Sequence, residues 1–574
     1  MPRRCCRHPL ATAASLPLLA CLAACPPSSR TTSSTDAGAP KLAHSDGKEH
    51  APIALRGISP RSMSNETAQP LLLFGRGFSP TQKLHAGAPV DRDLALVIDD
   101  GTHAHALLPA GIALPPSATE VAVPITLVDG AGATIGDPLT LNLINDTGFV
   151  DVVGFAAAAD LGYAFTLSTS TDEVIALDTA NGSVSRVPVG DGPWSIASAI
   201  VDGVESVVVA HKYAPELRVI AMKPEADGSR KQRTVPGPAY ARALVVDGGV
   251  AYVGEHVHDT LVAVDLKDGA VKWTAPVGPN PGSLAVLADR IAVGSFVDGE
   301  VVFVGKKDGA VSKAVMPKPD VKILGGHTEG YAKYVMGGKG VRALAYSSST
   351  NSLFVGSAGP NTGPNPDHMG VQGTGGVGVI DAKALTYPRH LGFNYGVIQG
   401  FALDDKRGRL YGADIASGLV HVVDAKALAS GDDKRARAAH IAATALAPPD
   451  KFPTFRPAGD FGPGGVVDAA VNVPPKVGQF PERRAGVEVH TGPEALALSK
   501  DGKSLLVLER FAGRIERLDV SADQPKLTSS WTLFDPLVQT ERRLGEIVYY
   551  ADLGRTGMSC DTCHLDGHNE GVFF

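Results

Sequence analysis

Residues 164–184 read AFTLSTSTDEVIALDTANGSV: a strand of small and apolar residues, a polar turn, a second strand closing on Leu177-Asp178, and a turn that leads back. The same order returns as SVVVAHKYAPELRVIAM at 206–222, VAYVGEHVHDTLVAVDLKDGAV at 250–271 and RIAVGSFVDGEVVFVGKKDGAV at 290–311. It returns again as SLFVGSAGP at 352–360 with a delayed GVGVIDAKAL at 376–385, as RLYGADIASGLVHVVDAKAL at 409–428, and as SLLVLERFAGRIERLDV at 504–520. Seven units result, four of them spaced by about 40–45 residues, the length a four-stranded propeller blade requires. Isolated sheets would expose their edge strands, and closing the units into a ring protects those edges. The expected fold class is all-β, with a seven-bladed β-propeller over residues 149–533. A solenoid or a second sandwich are the other architectures such a repeat permits. Inserts near 315–340, 358–376 and 428–492 interrupt the repeat, and loops of that length are where a repeat fold grows a binding surface.

Upstream, residues 51–148 alternate short apolar runs with turn residues: IALRGISP, QPLLLFGRGFSP, LALVIDD, EVAVPITLVD and PLTLNLIND. Close-spaced strands of this kind read as a small β-sandwich. The Ile58-Ser59-Pro60 opening and the LLLFGRGF turn at 71–78 resemble the immunoglobulin-like domains called IPT or TIG, which implies a spacer or interaction module without chemical activity. Residues 26–50 hold almost no large apolar side chain, so they cannot offset the entropy of ordering and are expected to be a flexible linker. Before them, Arg3, Arg4 and Arg7 precede an apolar stretch from Leu10 to Ala24. At about 15 residues it is shorter than the roughly 20 needed to span a bilayer, and it reads as a secretory signal. Its end, Leu22-Ala23-Ala24-Cys25, resembles a bacterial lipobox. The resemblance implies an acylated Cys25, an N-terminal lipid anchor, and a place in the periplasm or at the outer membrane or cell surface. Leu18-Leu19-Ala20-Cys21 makes Cys21 the alternative, and ordinary cleavage at a small-residue site is a third reading.

Composition narrows the function classes. The 574 residues carry 53 basic and 60 acidic side chains, a formal charge of −7, and no Lys/Arg stripe beyond the N-terminus. Nothing here could track a phosphate backbone, so no nucleic-acid partner is expected. The 65 glycines and 42 prolines favour short strands and turns over long helices. Cys5, Cys6, Cys21 and Cys25 stand at one end and Cys560 and Cys563 at the other, leaving no disulfide framework between.

Several motifs compete with bland readings. Gly373-Thr-Gly375-Gly376-Val-Gly378 matches the dinucleotide pattern, but that pattern needs a strand before it and a helix after it. Here a loop precedes and a strand follows, so a flexible turn is the expectation. His211, His256, His258, His327, His368 and His490 stand in turns and inserts. His256 and His258 are spaced to share one strand face as a possible metal pair, but no third ligand offers itself, so surface or hydrogen-bonded loop histidines are the expectation. Quinone-cofactor propellers use recurrent Trp docking motifs, which a chain with Trp194, Trp273 and Trp531 alone does not resemble.

The specific signal is Cys560-Asp-Thr-Cys563-His564. In an exported chain, CxxCH is the attachment signature of haem c. On one helical turn residues three and four apart share a face, so the two thiols can bond the vinyl groups while His564 reaches the iron as proximal ligand. Zinc on Cys560, Cys563, His564 and His568 is the rival reading, made awkward by four ligands within nine residues. The preceding LGEIVYYADLGRTGMS at 544–559 resembles the opening of the bacterial di-haem cytochrome c peroxidase superfamily. Together with HLGFNYG at 390–396 and GDFGPGG at 459–465, it resembles proteins joining a YVTN-type propeller to such a haem domain, a likeness over roughly residues 320–574. Residues 534–574 are then the start of a short helical cytochrome c segment. Family members carry a second CxxCH and a distal ligand downstream, whereas this sequence shows one haem site and ends ten residues after His564. A fragment, a separate haem-domain subunit or a vestigial motif are the readings this leaves. Two functions follow: an exported c-type haem protein for electron transfer or peroxidase-type chemistry, served by a redox partner, or a non-catalytic cell-envelope scaffold.

Overall fold

The computed structural model describes residues 54–550, apart from 67, 100, 116–117, 147–149, 298, 313, 316–321, 325–339, 358–359, 362–371, 374–375, 393–396, 417, 433–435, 437–491, 523–524, 535–545 and 547–548. All of it belongs to one compact unit, Pro52–Phe574. The signal and lipobox cysteines, the linker and the whole CxxCH motif therefore lie outside the described residues.

Two sheets come first along the chain. One orders strands Ala54–Ser59, Gln69–Arg76, His103–Leu108 and Val97–Ile98; the other orders Ser62–Ser64, Thr134–Ile144, Glu120–Val128, Lys83–Ala86 and Arg92–Ala95. Period-two alternation drives them together. In His103–Leu108 the residues Ala104, Ala106 and Leu108 turn inward, and they join Leu71, Leu73, Leu84, Ile125, Leu127, Leu141 and Leu143 in one core.

From Val153 onward the chain makes one small antiparallel sheet after another, as the repeat predicts. The strands run in sequence order within the sheets that begin at Val153, Pro193, Ala241, Pro281, Ile398 and Pro493. In each sheet the first strand lies beside the first strand of the next sheet, and that of the last sheet lies beside that of the first. The arrangement fits a β-propeller. Apolar side chains fill each gap between sheets: Phe165 and Leu167 meet Val207, Val209 and Ile220, and the closing gap joins Ile175 and Leu177 to Leu506, Leu508 and Ile515. Second and third strands are buried along nearly their whole length, as in Tyr163–Ser168 and Glu173–Asp178, whereas the fourth, Val184–Pro188, alternates toward solvent. Strands with both faces covered read as continuous apolar runs, which is why the repeats look Val-rich rather than alternating.

The recurrent Val-Gly at the end of the second strand has a packing cause. A Cβ on Gly294 would lie 2.3 Å from Val341 Cγ1, and one on Gly356 would lie 2.9 Å from Ile398 Cγ2, each on the next sheet's first strand. The ring closes to this spacing because no side chain stands there.

Three sheets depart from the plain repeat. After Val301–Gly305 the fourth strand is reduced to the bridges Val301↔Val315 and Val304↔Val311. The sheet Val341–Ser347, Ser352–Ser357, Gly376–Asp381, Thr386–Gly392 gains an outer strand, Lys322–Leu324, parallel to the last. After Leu419–Asp424 the expected strand return is replaced by a helix, Ala425–Ser430, capped by Asp424, whose carboxylate accepts from Ala427 N at 2.8 Å, and ended by Gly431 at φ 83°. Ala425, Ala427 and Leu428 bury its inner side, so a helix of good formers covers the sheet edge that a fourth strand would have paired.

Candidate functional site

Strand direction decides where the inserts emerge. Each first strand starts at one end of the ring, so the second strand ends there, the third starts there and the fourth returns there. The turns after second strands and the connections between sheets consequently share that end. It is the end flanking 358–375, 325–340 and 437–491, the end at which the chain arrives from Ile144 toward Val153, and the end it leaves after Thr532.

The same β-bulge marks every first strand at this end. The register slips by one at Gly154, Trp194, Arg242, Gly282, Arg342, Gln399 and Glu494, so one extra residue per strand breaks the pairing. Arg242, Gly282, Arg342 and Gln399 line a cavity of about 210 Å³ together with Ser195, Ser283 and Phe401. Beside it stands Phe296, 2% exposed. A Cβ on Gly282 would lie 3.1 Å from Phe296 Cβ, so this glycine lets the ring cover the bulge. The guanidinium carbons of Arg242 and Arg342 then sit 4.3 and 4.8 Å from the centroid of that one ring.

Second strands end at this face in a polar residue that ties the turn to a neighbouring connection. Ser295 Oγ donates to Pro279 O at 2.6 Å, and Asp414 Oδ1 accepts from Val397 N at 2.9 Å while Oδ2 holds the buried His421 Nε2 at 3.0 Å. Asp172, in the first such turn, accepts from Gly192 N at 2.8 Å. Burial pushes its carboxyl up to about 6, against the pull of the Gly192 bond.

The histidines join this framework. His256 donates through Nδ1 to Tyr240 O at 2.7 Å, whereas His258 Nδ1 bonds the Glu255 carboxylate. Tyr240 meets both rings edge-on, at centroid distances of 6.1 and 6.4 Å. The strand Val250–Glu255 ends before either histidine, so both are hydrogen-bonded loop histidines, as expected, and the shared strand face needed for a metal pair does not exist. His211 is buried, with Nδ1 against Glu216 O at 3.0 Å, and burial pulls its pKa down. His327, His368 and His490 lie outside the described residues. Among the described residues no group of three or more His, Cys, Asp or Glu side chains is gathered to hold a metal. Gly376 opens the strand Gly376–Asp381 instead of a helix, so the glycine-rich run does not meet the context a dinucleotide needs.

A buried charge cluster missed at the sequence level stands where the last sheet meets the outgoing chain. Arg510, in the turn after Ser504–Glu509, places Nε 2.7 Å from Glu546 Oε1 and Nη1 3.7 Å from Glu494 Oε1, with its guanidinium 4.6 Å from the Tyr550 ring centroid. The side chains of Arg510, Glu546 and Glu494 are 13%, 10% and 14% exposed. Burial opposes the charged guanidinium, but Glu546 and Glu494 outweigh it and hold its pKa well above the ordinary value. Charge standing in LERF and LGEI gave no sign that the two meet, because 36 residues separate them. Glu546 and Tyr550 are among the last described residues before Cys560.

No family model matches the chain, and no curated protein does either. Among solved structures, Kuenenia stuttgartiensis hydrazine synthase is similar at 16% identity and a TM-score of 0.46, over 65% of this chain and 97% of that one. Kluyveromyces lactis Hsv2 is similar at 9% identity and a TM-score of 0.38, over 67% and 100%. The computationally designed Ika8 protein is similar at 13% and 0.37, over 66% and 86%.

Proposed function

We propose that the protein is an exported c-type haem protein for electron transfer or peroxidase-type redox chemistry, in which a seven-bladed YVTN-type propeller over residues 149–533 carries the start of a di-haem peroxidase-like domain. An immunoglobulin-like module over 51–148 and a lipid anchor on Cys25 complete this reading. The observation that carries it is the order of the last residues: a segment seated on the ring through Arg510 and Glu546 leads directly into Cys560, Cys563 and His564. The donor set suits the group, since two thiols three apart can hold a porphyrin covalently and the adjacent imidazole can ligate its iron. Bound there, haem would supply one-electron chemistry; the chain's own part is to hold it to the ring and to offer the insert-bearing end to a redox partner. The alternative, a non-catalytic envelope scaffold with an inert motif, is favoured by the cavity at that same end.

The test is the intact mass of the denatured protein, made in a host with cytochrome c maturation machinery, beside the Cys560→Ala, Cys563→Ala double variant. A gain of one haem in the parent alone is the expected result. A parent mass equal to that of its own bare polypeptide, with no haem added, would leave the scaffold reading.

A further inference from the structure

The two-sheet module and the ring meet at a tyrosine that stands where other connections carry glycine or asparagine. The residue just before the first strand of a propeller sheet is left-handed at Gly192, Asn280, Gly340 and Gly492, with φ of 64°, 53°, 70° and 75°. Tyr240, just before Ala241, takes the same conformation at φ 60°. Glycine and asparagine enter that region readily, whereas a bulky side chain does so at a cost that some contact has to offset. The backbone of Tyr240 is tied on both sides, its N–H donating to Lys212 O at 2.9 Å and its carbonyl accepting from His256 N at 3.1 Å. The phenol therefore has a fixed root.

What the phenol reaches is the two-sheet module. In His103–Leu108 the inward turn of Ala104, Ala106 and Leu108 leaves His105 on the outer face. Both Asp99 carboxylate oxygens lie 3.1 Å from His105 Nδ1, which makes that nitrogen the donor and leaves Nε2 for a second partner. Tyr240 Oη stands 3.5 Å from Nε2, across 135 positions of sequence. Burial, with Asp99 and Glu255 nearby, pushes the phenol's pKa up, so the hydroxyl keeps the proton it donates. The apolar side chains around this bond stay open. Leu72 and Val97, paired with His105 on its two sides, are 44% and 49% exposed, and Val257, next to His256, is 51% exposed. A contact between modules that is pinned by polar groups while its apolar neighbours remain in water is one that can open.

We propose that Asp99, His105 and Tyr240 form a latch that holds the two-sheet module against the insert-bearing end of the ring, and that releasing it frees the module to swing. Asp99 sets the plane of the imidazole, and the strained connection presents the phenol to it. Closed, the latch makes the module a fixed flank of that end; open, the module becomes a mobile spacer.

The test uses the full chain and two readouts. Diethyl pyrocarbonate acylates accessible imidazole nitrogens, and His85 serves as internal standard. Its Nδ1 likewise bonds a carboxylate, Asp93 at 3.0 Å, with its side chain 38% exposed against 20% for His105. Small-angle X-ray scattering supplies the radius of gyration. In Tyr240→Gly, which suits the backbone that the equivalent connections share, His105 should be modified about three- to tenfold faster relative to His85, the worth of one net hydrogen bond. The radius of gyration should rise with it. Tyr240→Phe keeps the ring beside His256 and His258 and removes only the hydroxyl, so it reads the latch even where glycine loosens the connection, and the same two changes are expected. His105→Ala should expand the chain as far as Tyr240→Gly does, and the double variant no further. Unchanged His105 reactivity in both tyrosine variants would overturn the proposal. Faster modification at an unchanged radius of gyration would overturn it as well, since Tyr240 would then cap the imidazole without tying the modules together, and so would a double variant more expanded than either single one.

Discussion

Arg510→Met removes a guanidinium and keeps an apolar stem of similar length, leaving Glu494 and Glu546 facing each other where Arg510 stood. The pair distances of 2.7 and 3.7 Å and side-chain exposures of 10–14% make this a buried pair, and breaking such a pair by removing one member costs about 3–5 kcal/mol. Glu546 can escape that cost by leaving the ring. The loss should therefore appear as local opening of the outgoing segment rather than as unfolding of the sheets, which a chain with several sheets and long inserts need not do in one step. Hydrogen exchange read by mass spectrometry on a peptide covering residues 545–551 measures that opening. At about 1.4 kcal/mol per factor of ten, protection should fall by about a hundredfold or more, with peptides from Val207 to Ala221 unchanged. Glu546→Gln should lower protection less, because the amide still accepts a bond and removes a buried charge with it. In a double-mutant cycle the two changes should couple by more than about 1 kcal/mol, as residues in direct contact do. Protection in Arg510→Met within about threefold of the parent, or a coupling near zero, would mean that Glu546 is not seated on Arg510.

Two further outcomes follow from the packing. Asp172 has its pKa raised to about 6 from 3.8, so the folded state binds this proton more tightly than the unfolded one. Its contribution to stability is full below about pH 4 and is lost as pH rises through about 6. Asp172→Asn keeps an acceptor for Gly192 N and suits the φ of 53°; it should flatten that slope and stabilise the protein at pH 7 by about 1–3 kcal/mol, and an unaltered pH profile of thermal unfolding would count against a raised pKa. Gly294→Ala sets a methyl 2.3 Å from Val341 Cγ1 and should cost about 1–3 kcal/mol by overpacking; unchanged denaturant midpoints would mean the neighbouring sheets do not approach this closely.

The repeat itself was legible. Strands Tyr163–Ser168 and Glu173–Asp178 fall where AFTLSTSTDEVIALD places them, because runs buried on both faces leave the same apolar signature wherever they occur. Ser62–Ser64 and Lys83–Ala86 escaped notice: strands of three or four residues are too short to show a period. The helix Ala425–Ser430 also escaped, since AKALAS is read as a strand return only by analogy with its neighbours, whereas Asp424 and Gly431 cap it as a helix. His256 and His258 could be spaced by arithmetic, but their partners, Tyr240 and Glu255, depend on where the strand stops.

Sequence by itself determined the all-β class and the recurrence of the strands, because each of these resides in local order along the chain. Only the tertiary structure decided which distant residues meet. Arg242 and Arg342 are 100 positions apart, and Arg510 and Glu546 are 36 apart; nothing in their neighbourhoods marks them as partners. Arg242 and Arg342 come together because every first strand is bulged at the same register and enters from the same end of the ring, and Arg510 meets Glu546 because the turn after a second strand and the chain leaving the last strand lie at that end too. Closure of the sheets, driven by apolar burial between them, then sets one charged residue beside another.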